Sequence, residues 1–164
     1  MTAHTRRLLL LRHGEAEPAR AGLADAERTL TERGRQQALD AAQCLRRTRL
    51  RIDHVWVSPA VRTCETALII AAELDMSAPP HQVPTLYLAT VTSLLEMLQR
   101  CDDDVRTLLL IGHNPGLSEL ARTLQAARSA DTELGTGGLC RLELELSAWG
   151  SLSAQSARSC SVLH

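Results

Sequence analysis

Two short apolar runs, residues 8–11 and 107–111, constrain the fold of this chain more than any other feature of its sequence. The first is four consecutive leucines, and the second is one threonine followed by three leucines and an isoleucine, with no charge. Runs of this length without alternation are typical of strands buried on both faces, as in a parallel sheet covered by helices. Each run ends in polar residues, Arg12 and His13 after the first and His113 after the second.

Further strands and helices alternate along the chain. Strands are predicted at residues 54–57, 83–88 and 139–146, with a weak strand after Trp149, and helices from Thr31 to about Arg47, from Ser58, over 91–98 and from Asn114 to about Ala127. Two of the helices are predicted to begin with a capping side chain followed by proline, at residues 58–59 and 114–115. The second helix is predicted to turn Cys64, Leu68, Ala71 and Leu74 inward. The alternation of leucine with other residues over 139–146 predicts a half-exposed antiparallel edge strand.

This order of elements predicts a three-layer α/β fold, with a mostly parallel central sheet and helices on both faces. No repeat or linker divides the 164 residues, so a single domain over residues 1–164 is expected. In such folds ligands bind beyond the carboxyl ends of the strands, which directs attention to the polar residues that follow each apolar run.

Composition argues against several classes of function. A net charge of −1 and only 2% aromatic residues give little basis for binding nucleic acid. The chain has no lysine, which excludes Schiff-base chemistry and the phosphate-binding loop that requires lysine. Its five cysteines are scattered and no segment resembles a signal peptide or membrane anchor. We therefore expect a cytoplasmic protein that binds neither nucleic acid nor membrane.

The predicted strand ends bring two imidazoles and two guanidinium groups to one edge of the sheet: His13, His113, Arg12 and Arg62. Such a cluster suits a phosphoryl group, because a planar guanidinium can bind two phosphate oxygens at once. Arg62 lies in the first turn of its helix, where the helix dipole disfavours a cation and favours a bound anion. A salt bridge from Arg62 to Glu65 is an equally valid interpretation of the sequence.

His13 is the candidate nucleophile in this cluster. Neighbouring positive charge lowers the pKa of an imidazole and keeps it in the neutral, nucleophilic form. Gly14 allows close approach of the backbone and offers a carbonyl to hold the other ring nitrogen. The alternatives are a hydrogen-bonded structural role for His13 and a helix-capping role for His113. Neither histidine has the spacing of a metal site, so no metal is predicted.

Four motifs of the sequence together resemble the histidine phosphatase (phosphoglycerate mutase-like) superfamily. They are LRHGE at 11–15, LTERG at 30–34, SPAVRT at 58–63 and GHNPG at 112–116. The resemblance implies a phosphoglycerate mutase-like fold, here without the large helical insertion of bigger members. It also implies that His13 becomes phosphorylated while Arg12, Arg62 and His113 bind the phosphoryl oxygens, with no cofactor.

Asp25, Arg28 and the segment TGG at 136–138 add a resemblance to the SixA-type phosphohistidine phosphatases. That branch implies a phosphohistidine-bearing partner protein as the substrate. By the same resemblance Arg28, Gly14 and Asn114 are candidate substrate-binding residues, although Arg28 could instead form a surface ion pair with Asp25.

The proton donor for the leaving group is left open by the sequence. Some larger members place a carboxylic acid directly after the second histidine, where this chain has Asn114. Glu15 is the candidate acid, and an exposed loop carboxylate is an equal interpretation. Two other functions therefore remain: a small-molecule phosphomonoesterase or mutase of the same superfamily, and a catalytically silent module that binds phosphate.

Overall fold

A six-stranded sheet forms the centre of the structure, a computed structural model that describes residues 4–125 and 133–163. The strands are β1 (His4–Arg12), β2 (His54–Val57), β3 (His81–Gln82), β4 (Thr107–Gly112), β5 (Leu139–Leu146) and β6 (Ala157–Leu163). The helices are α1 (Glu32–Thr48), α2 (Val61–Glu73), α3 (Val91–Leu98) and α4 (Gly116–Leu124). Three short 3-10 turns lie at Asp25–Glu27, Pro84–Leu86 and Trp149–Ser151.

The strand order β3-β2-β4-β1-β5-β6 places the two apolar runs side by side. β1 pairs in parallel with β4 so that Arg12 lies opposite Gly112, and β4 and β2 are also parallel. β5 and β6 extend the sheet in antiparallel pairings. The residues that follow β1, β2 and β4 consequently emerge at the same edge of the sheet.

Helices cover both faces of the sheet, which confirms the predicted three-layer α/β fold. Successive side chains of β1 point to opposite faces, so Leu9 and Leu11 pack with α1 and α2. Leu8 and Leu10 pack with α3 and α4 on the other face. All four leucines are fully buried, and each such burial contributes roughly 1.5–3 kcal/mol.

The start and the inner face of α2 differ from the prediction. Ser58 and Pro59 precede the helix, whose N-cap is Ala60. The predicted inner face is wrong, because Leu68 is 63% exposed while Arg62, Thr63 and Thr66 are buried. Both threonine hydroxyls donate to nearby backbone carbonyls, so this helix buries satisfied polar groups that apolar periodicity does not detect.

Two predictions about the strands at the edges of the sheet are also wrong. The predicted strand at 83–88 lies earlier, at His81–Gln82, and is followed by the turn at Pro84–Leu86; proline cannot donate a backbone hydrogen bond to a sheet. β5 has the predicted bounds and antiparallel pairing, yet it is not an edge strand. The predicted weak strand after Trp149 is β6, which pairs with β5 and forms this edge of the sheet.

The fourth helix begins two residues later than its predicted cap. α4 starts at Gly116 with Pro115 at the N-cap position, while Asn114 Oδ1 still accepts a hydrogen bond from the backbone N–H of Ser118. The helix ends at Leu124. Its predicted end at Ala127 lies outside the described residues.

A contact between two glycines fixes the segment after β1 against α1. A Cβ atom on Gly14 would lie 2.2 Å from the carbonyl oxygen of Gly34, and one on Gly34 would lie 2.0 Å from that of Glu15. The obstacles are backbone atoms on both sides, so a side chain could fit only if the segments separated. The first and second sequence motifs are therefore joined by direct backbone packing.

Gly34→Ala should destabilise the protein although alanine is the better helix former. Alanine favours a helix interior by about 1 kcal/mol over glycine, whereas overpacking costs roughly 1–3 kcal/mol, and more where backbone must move. We expect a lower free energy of unfolding in urea. Gly135→Ala is the control, because its added Cβ would have no atom within 4 Å. An unchanged or raised stability of Gly34→Ala would contradict the packing described here.

Candidate active site

The carboxyl ends of β1 and β4 bring the two predicted histidines together. His13 follows β1 directly and His113 follows β4, and the pairing of Arg12 with Gly112 sets the two imidazoles next to each other. Their ring centroids are 5.2 Å apart, with an angle of 61° between the ring planes. His13 and His113 are 8% and 5% exposed, so each ring lies almost entirely inside the protein.

Arg62, in the first turn of α2, contacts both imidazoles. The side chain is buried, with its Nε 3.3 Å from Nε2 of His13 and its Nη2 3.4 Å from Nδ1 of His113. The alternative salt bridge to Glu65 is not formed, because Glu65 binds Arg35 and the backbone N–H of Leu30 instead. Arg62 thus brings a buried positive charge to the helix N-terminus beside both histidines.

The hydrogen bonds of His13 define its tautomer. A guanidinium can only donate, so Nε2 of His13 accepts from Arg62. The proton of the neutral ring therefore lies on Nδ1, which donates to the carbonyl oxygen of Gly14 at 2.7 Å. Burial, together with the charges of Arg62, Arg12 and Arg28, lowers the pKa of His13 to about 4. The ring is neutral near pH 7 and presents the lone pair of Nε2 to the cluster.

His113 is held in the opposite tautomer. Its Nδ1 faces the donor Nη2 of Arg62, so its Nε2 carries the proton and donates to Oγ of Ser58 at 2.7 Å. Burial and the proximity of His13 and Arg62 lower the pKa of His113 to about 3. Ser58, predicted as a helix cap, acts instead as the hydrogen-bond partner of this histidine.

Arg12 extends from the end of β1 toward the same site. Its Nη1 donates to the carbonyl oxygen of Leu134 at 2.9 Å, which fixes the guanidinium. Its Nε is buried and has no hydrogen-bond partner among residues 4–125 and 133–163. Its charge also lowers the pKa of both histidines. A buried donor of this kind fits a site for an anion.

Arg28 and Asp25 lie on the loop that contacts Arg62, beside the histidine pair. Arg28 Nε is 3.0 Å from Asp25 Oδ1, so the predicted ion pair is formed, while its Nη1 donates to the carbonyl of Glu17. The Asp25 carboxylate also binds Arg62 Nη2 at 2.9 Å and accepts a hydrogen bond from the Tyr87 hydroxyl at 2.7 Å. These partners lower the pKa of Asp25 to about 2, with Tyr87 the largest contributor.

The structure gives the other three predicted site residues contacts within the scaffold. Gly14 holds His13 through its carbonyl, and its N–H donates to Thr66 Oγ1 at 3.2 Å. Glu15 accepts a hydrogen bond from Thr31, at the start of α1. Asn114 donates to the carbonyl of Leu134 and accepts from Ser118, next to the loop that holds Arg12.

Sequence reasoning did not identify Tyr87 as part of the site. Its ring lies edge-on to His113, with centroids 5.5 Å apart. Tyr87 is the only tyrosine in a chain with no phenylalanine, and this rarity was the one available signal. Apolar periodicity assigned it to a strand and gave no indication that it faces Asp25.

Outside the histidine cluster, residues 4–125 and 133–163 form no metal site and no membrane-spanning helix. No group of three or more His, Cys, Asp or Glu side chains among the described residues is arranged to hold a metal ion. No helix in the described ranges is long and apolar enough to span a membrane. A cavity of about 680 Å³ beside β2 and β3 is lined by residues such as Trp56 and Met97, and it does not include His13 or His113.

Comparison with known proteins finds related sequences and closely similar folds. A family model of the histidine phosphatase superfamily (branch 1) matches residues 8–87. The uncharacterised protein Rv1276c of Mycobacterium tuberculosis (strain ATCC 25618 / H37Rv) is 34% identical over 110 residues, which cover 67% of each chain. A structure from Nakamurella multipartitia assigned to the SixA phosphohistidine phosphatases superposes with a TM-score of 0.83 at 26% identity, covering 100% of this chain and 98% of that one. The protein histidine phosphatase SixA complexed with tungstate has the same fold, with a TM-score of 0.78 at 22% identity over 95% of this chain and 93% of that one.

The chain therefore belongs to the histidine phosphatase superfamily, and its activity class is that of a phosphatase. Within the superfamily, its similarity is to the SixA-like branch. The fold and family predicted from the four motifs are confirmed.

The two buried histidines should make the protein less stable in mild acid. A folded-state pKa below the ordinary value of 6.5 means that the unfolded chain takes up protons first as the pH falls. Stability is therefore present near pH 7 and is lost as the pH falls from about 6.5 toward 4. We expect His13 alone to account for about 2 kcal/mol of this loss between pH 7 and about pH 4.5.

Urea unfolding of the wild type and of His13→Gln at these two pH values measures the effect. The variant should lose about 2 kcal/mol less stability between them, because glutamine does not titrate. His54→Gln is the control, since His54 is exposed at the start of β2. Equal losses in the wild type and in His13→Gln would show that the fold does not keep His13 neutral.

Proposed function

We propose that this protein is a phosphohistidine phosphatase that removes phosphate from a histidine of a partner protein through a phosphorylated His13. The observation that carries the proposal is the state of the His13 ring. Nδ1 is occupied by the Gly14 carbonyl, and Nε2 is unprotonated, with its lone pair accepting a long hydrogen bond of 3.3 Å from Arg62 that an incoming phosphoryl group would replace. A neutral imidazole fixed in this tautomer is a preorganised nucleophile for phosphorus.

In the proposed first step, Nε2 of His13 attacks the phosphorus atom on the side opposite the leaving group. The P–N bond to the substrate imidazole breaks as the P–Nε2 bond forms, and the electron pair of the broken bond returns to the substrate ring. Arg12 and Arg62 would bind the equatorial oxygens and stabilise the negative charge spread over them. His113 would donate to the same oxygens only after it takes up a second proton or releases Ser58, and the negative charge of the phosphoryl group favours that protonation.

In the proposed second step, water attacks the phosphorylated His13 and releases inorganic phosphate. The electron pair of the P–Nε2 bond returns to the His13 ring, which still carries its proton on Nδ1. Because Gly14 holds that proton at 2.7 Å, His13 departs as a neutral imidazole and needs no separate proton donor. The proton released by the water is carried by the phosphate product.

Phosphohistidine is favoured as the substrate by two considerations. The 26% identical structure over the whole chain is assigned to the SixA phosphohistidine phosphatases. The chain also has Asn114 after the second histidine, and the contacts of Asn114 are with the scaffold. An imidazole leaving group can be protonated before the P–N bond breaks, whereas an alkyl alcohol needs a proton during the step. A site without an acid at this position therefore suits the phosphoramidate.

The two alternative functions make different demands on the site. A small-molecule phosphatase or mutase would turn over phosphate esters in preference to phosphohistidine. A catalytically silent binding module would need the two arginines but no nucleophile. The fixed tautomer of His13 argues against the silent module, because a group that only binds oxygen would gain from being protonated.

His13→Ala should abolish both turnover and the phosphoenzyme. The wild type and the variant are incubated with a protein radiolabelled on phosphohistidine and with a panel of small phosphate esters, in the presence of a chelator. Released phosphate is measured over time, and the acid-labile phosphoenzyme is trapped by rapid denaturation in alkali. We expect the wild type to release phosphate from the labelled protein and His13→Ala to lose at least about 1,000-fold in rate, as expected for removal of a covalent nucleophile.

His54→Ala is the matched control, since it removes an exposed histidine on β2 and should keep full activity. Normal turnover by His13→Ala would refute the role assigned to His13. Binding of the labelled protein without release of phosphate by the wild type would establish the silent module. Selective turnover of small esters would establish the alternative enzyme class.

A further inference from the structure

Asp25 places a partly exposed carboxylate next to Arg62, the residue that contacts both histidines. Oδ2 accepts hydrogen bonds from Tyr87 at 2.7 Å and Arg62 at 2.9 Å, and Oδ1 is 3.0 Å from Nε of Arg28. The backbone carbonyl of Asp25 accepts a further hydrogen bond from Nη1 of Arg62 at 2.6 Å. The side chain nevertheless remains 46% exposed, so its position is fixed while one face is open to a ligand.

This placement is unfavourable for binding phosphate alone. A carboxylate within 3 Å of Arg62 repels an incoming phosphoryl group and competes with it for the same guanidinium. Asp25 is the counter-ion of the buried Arg62 guanidinium, but that pairing uses only Oδ2 and leaves the side chain 46% exposed. Pairing with Arg62 accounts for the charge, whereas the fixed and partly exposed carboxylate can in addition contact the part of the substrate that is not phosphate.

The leaving imidazole of phosphohistidine has a feature that an alcohol lacks. One ring nitrogen carries the phosphoryl group, and the other can carry a proton. With that proton in place the ring leaves as neutral imidazole; without it the ring must leave as the far less stable imidazolate. A carboxylate that accepts a hydrogen bond from this N–H stabilises the protonated ring, because the pair is charge-assisted.

We propose that Asp25 accepts a hydrogen bond from the free ring N–H of the substrate's phosphorylated histidine and so selects an imidazole leaving group. The inference rests on the proposed function and deepens it. As His13 attacks, the P–N bond breaks, its electron pair returns to the ring, and the N–H stays in place against Asp25. No proton has to reach the nitrogen that leaves phosphorus, which accounts for a site that has Asn114 where larger relatives carry an acid.

The contact resembles the one that His13 itself makes. Gly14 holds the Nδ1 proton of His13 so that this ring can leave as neutral imidazole in the second step. Asp25 would hold the corresponding proton of the substrate ring in the first step. Tyr87 is then a positioning residue, since its hydroxyl fixes Oδ2 of Asp25 while its ring packs edge-on to His113.

The test compares two substrates whose leaving groups differ in this N–H. A phosphohistidine peptide has it, whereas p-nitrophenyl phosphate releases a stable phenolate and has no N–H. For Asp25→Asn, we expect the ratio of kcat/KM for the peptide to kcat/KM for p-nitrophenyl phosphate to fall by about tenfold or more, the effect of losing one charge-assisted hydrogen bond. The matched control is Glu27→Gln, which removes one carboxylate from the same turn and should leave the ratio unchanged.

The pH profile gives a readout that a purely structural role would not change. Asp25 favours the protonated substrate ring, so turnover of the peptide should persist to higher pH in the wild type than in Asp25→Asn. The profile for p-nitrophenyl phosphate should have no such shift. Tyr87→Phe keeps the carboxylate and both arginines, and it should lower the same ratio by a smaller factor even if Asp25→Asn folds poorly.

The results separate this inference from the function on which it rests. Equal losses on both substrates in Asp25→Asn, with no pH shift, would mean that Asp25 only orders Arg62, and the inference would be wrong. An unchanged ratio in Tyr87→Phe would overturn the inference as well. Failure of the wild type to hydrolyse the phosphohistidine peptide would instead refute the proposed function.

Discussion

The buried charge of Arg62 is the interaction on which the arrangement of the site depends. A guanidinium that is 2% exposed, at a helix N-terminus, is costly unless its N–H groups find partners. Two of its partners are neutral imidazole nitrogens and the third is Asp25. Because a guanidinium only donates, it forces Nε2 of His13 and Nδ1 of His113 to be acceptors. One residue therefore sets the tautomers of both histidines and anchors the loop beside them.

The apolar runs were sufficient to predict the centre of the fold, and they failed where polar side chains are buried. The runs at 8–11 and 107–111 lie in β1 and β4, which are neighbours in the sheet. A strand that is apolar on both faces belongs at the centre of a sheet that helices cover on both sides. The inner face of α2 was mispredicted because Thr63 and Thr66 turn inward, where their hydroxyls satisfy backbone carbonyls. Periodicity counts apolar residues only, so it assigns the wrong inner face to a helix that points its polar side at a site.

The composition of the site was easier to predict than its contacts. His13, Arg12, Arg62 and His113 follow strands or begin a helix, and the strand order alone brings them to one edge. The partners of these residues come from loops: Leu134 binds Arg12, Ser58 binds His113, and Asp25 binds Arg62. Loop conformations depend on contacts distant in sequence, and neither spacing nor propensity encodes them. Tyr87 was missed for the same reason, since its hydrogen-bond partner Asp25 lies 62 positions away in the sequence.

The packing of Gly14 against Gly34 explains how a neutral imidazole can be held among three arginines. Arginine charges near His13 disfavour its protonation but do not by themselves orient the ring. Orientation comes from the Gly14 carbonyl, and that carbonyl is fixed because its backbone is in direct contact with α1. A side chain at either glycine would move the acceptor of the Nδ1 proton and leave the ring held through Arg62 alone. The second sequence motif, at 30–34, thus helps to position the nucleophile through backbone packing. Gly34 packs against Gly14, and Thr31 caps α1, the helix that contains Gly34. The chemistry of His13 consequently depends on a residue that has no side chain and lies 21 positions away in sequence.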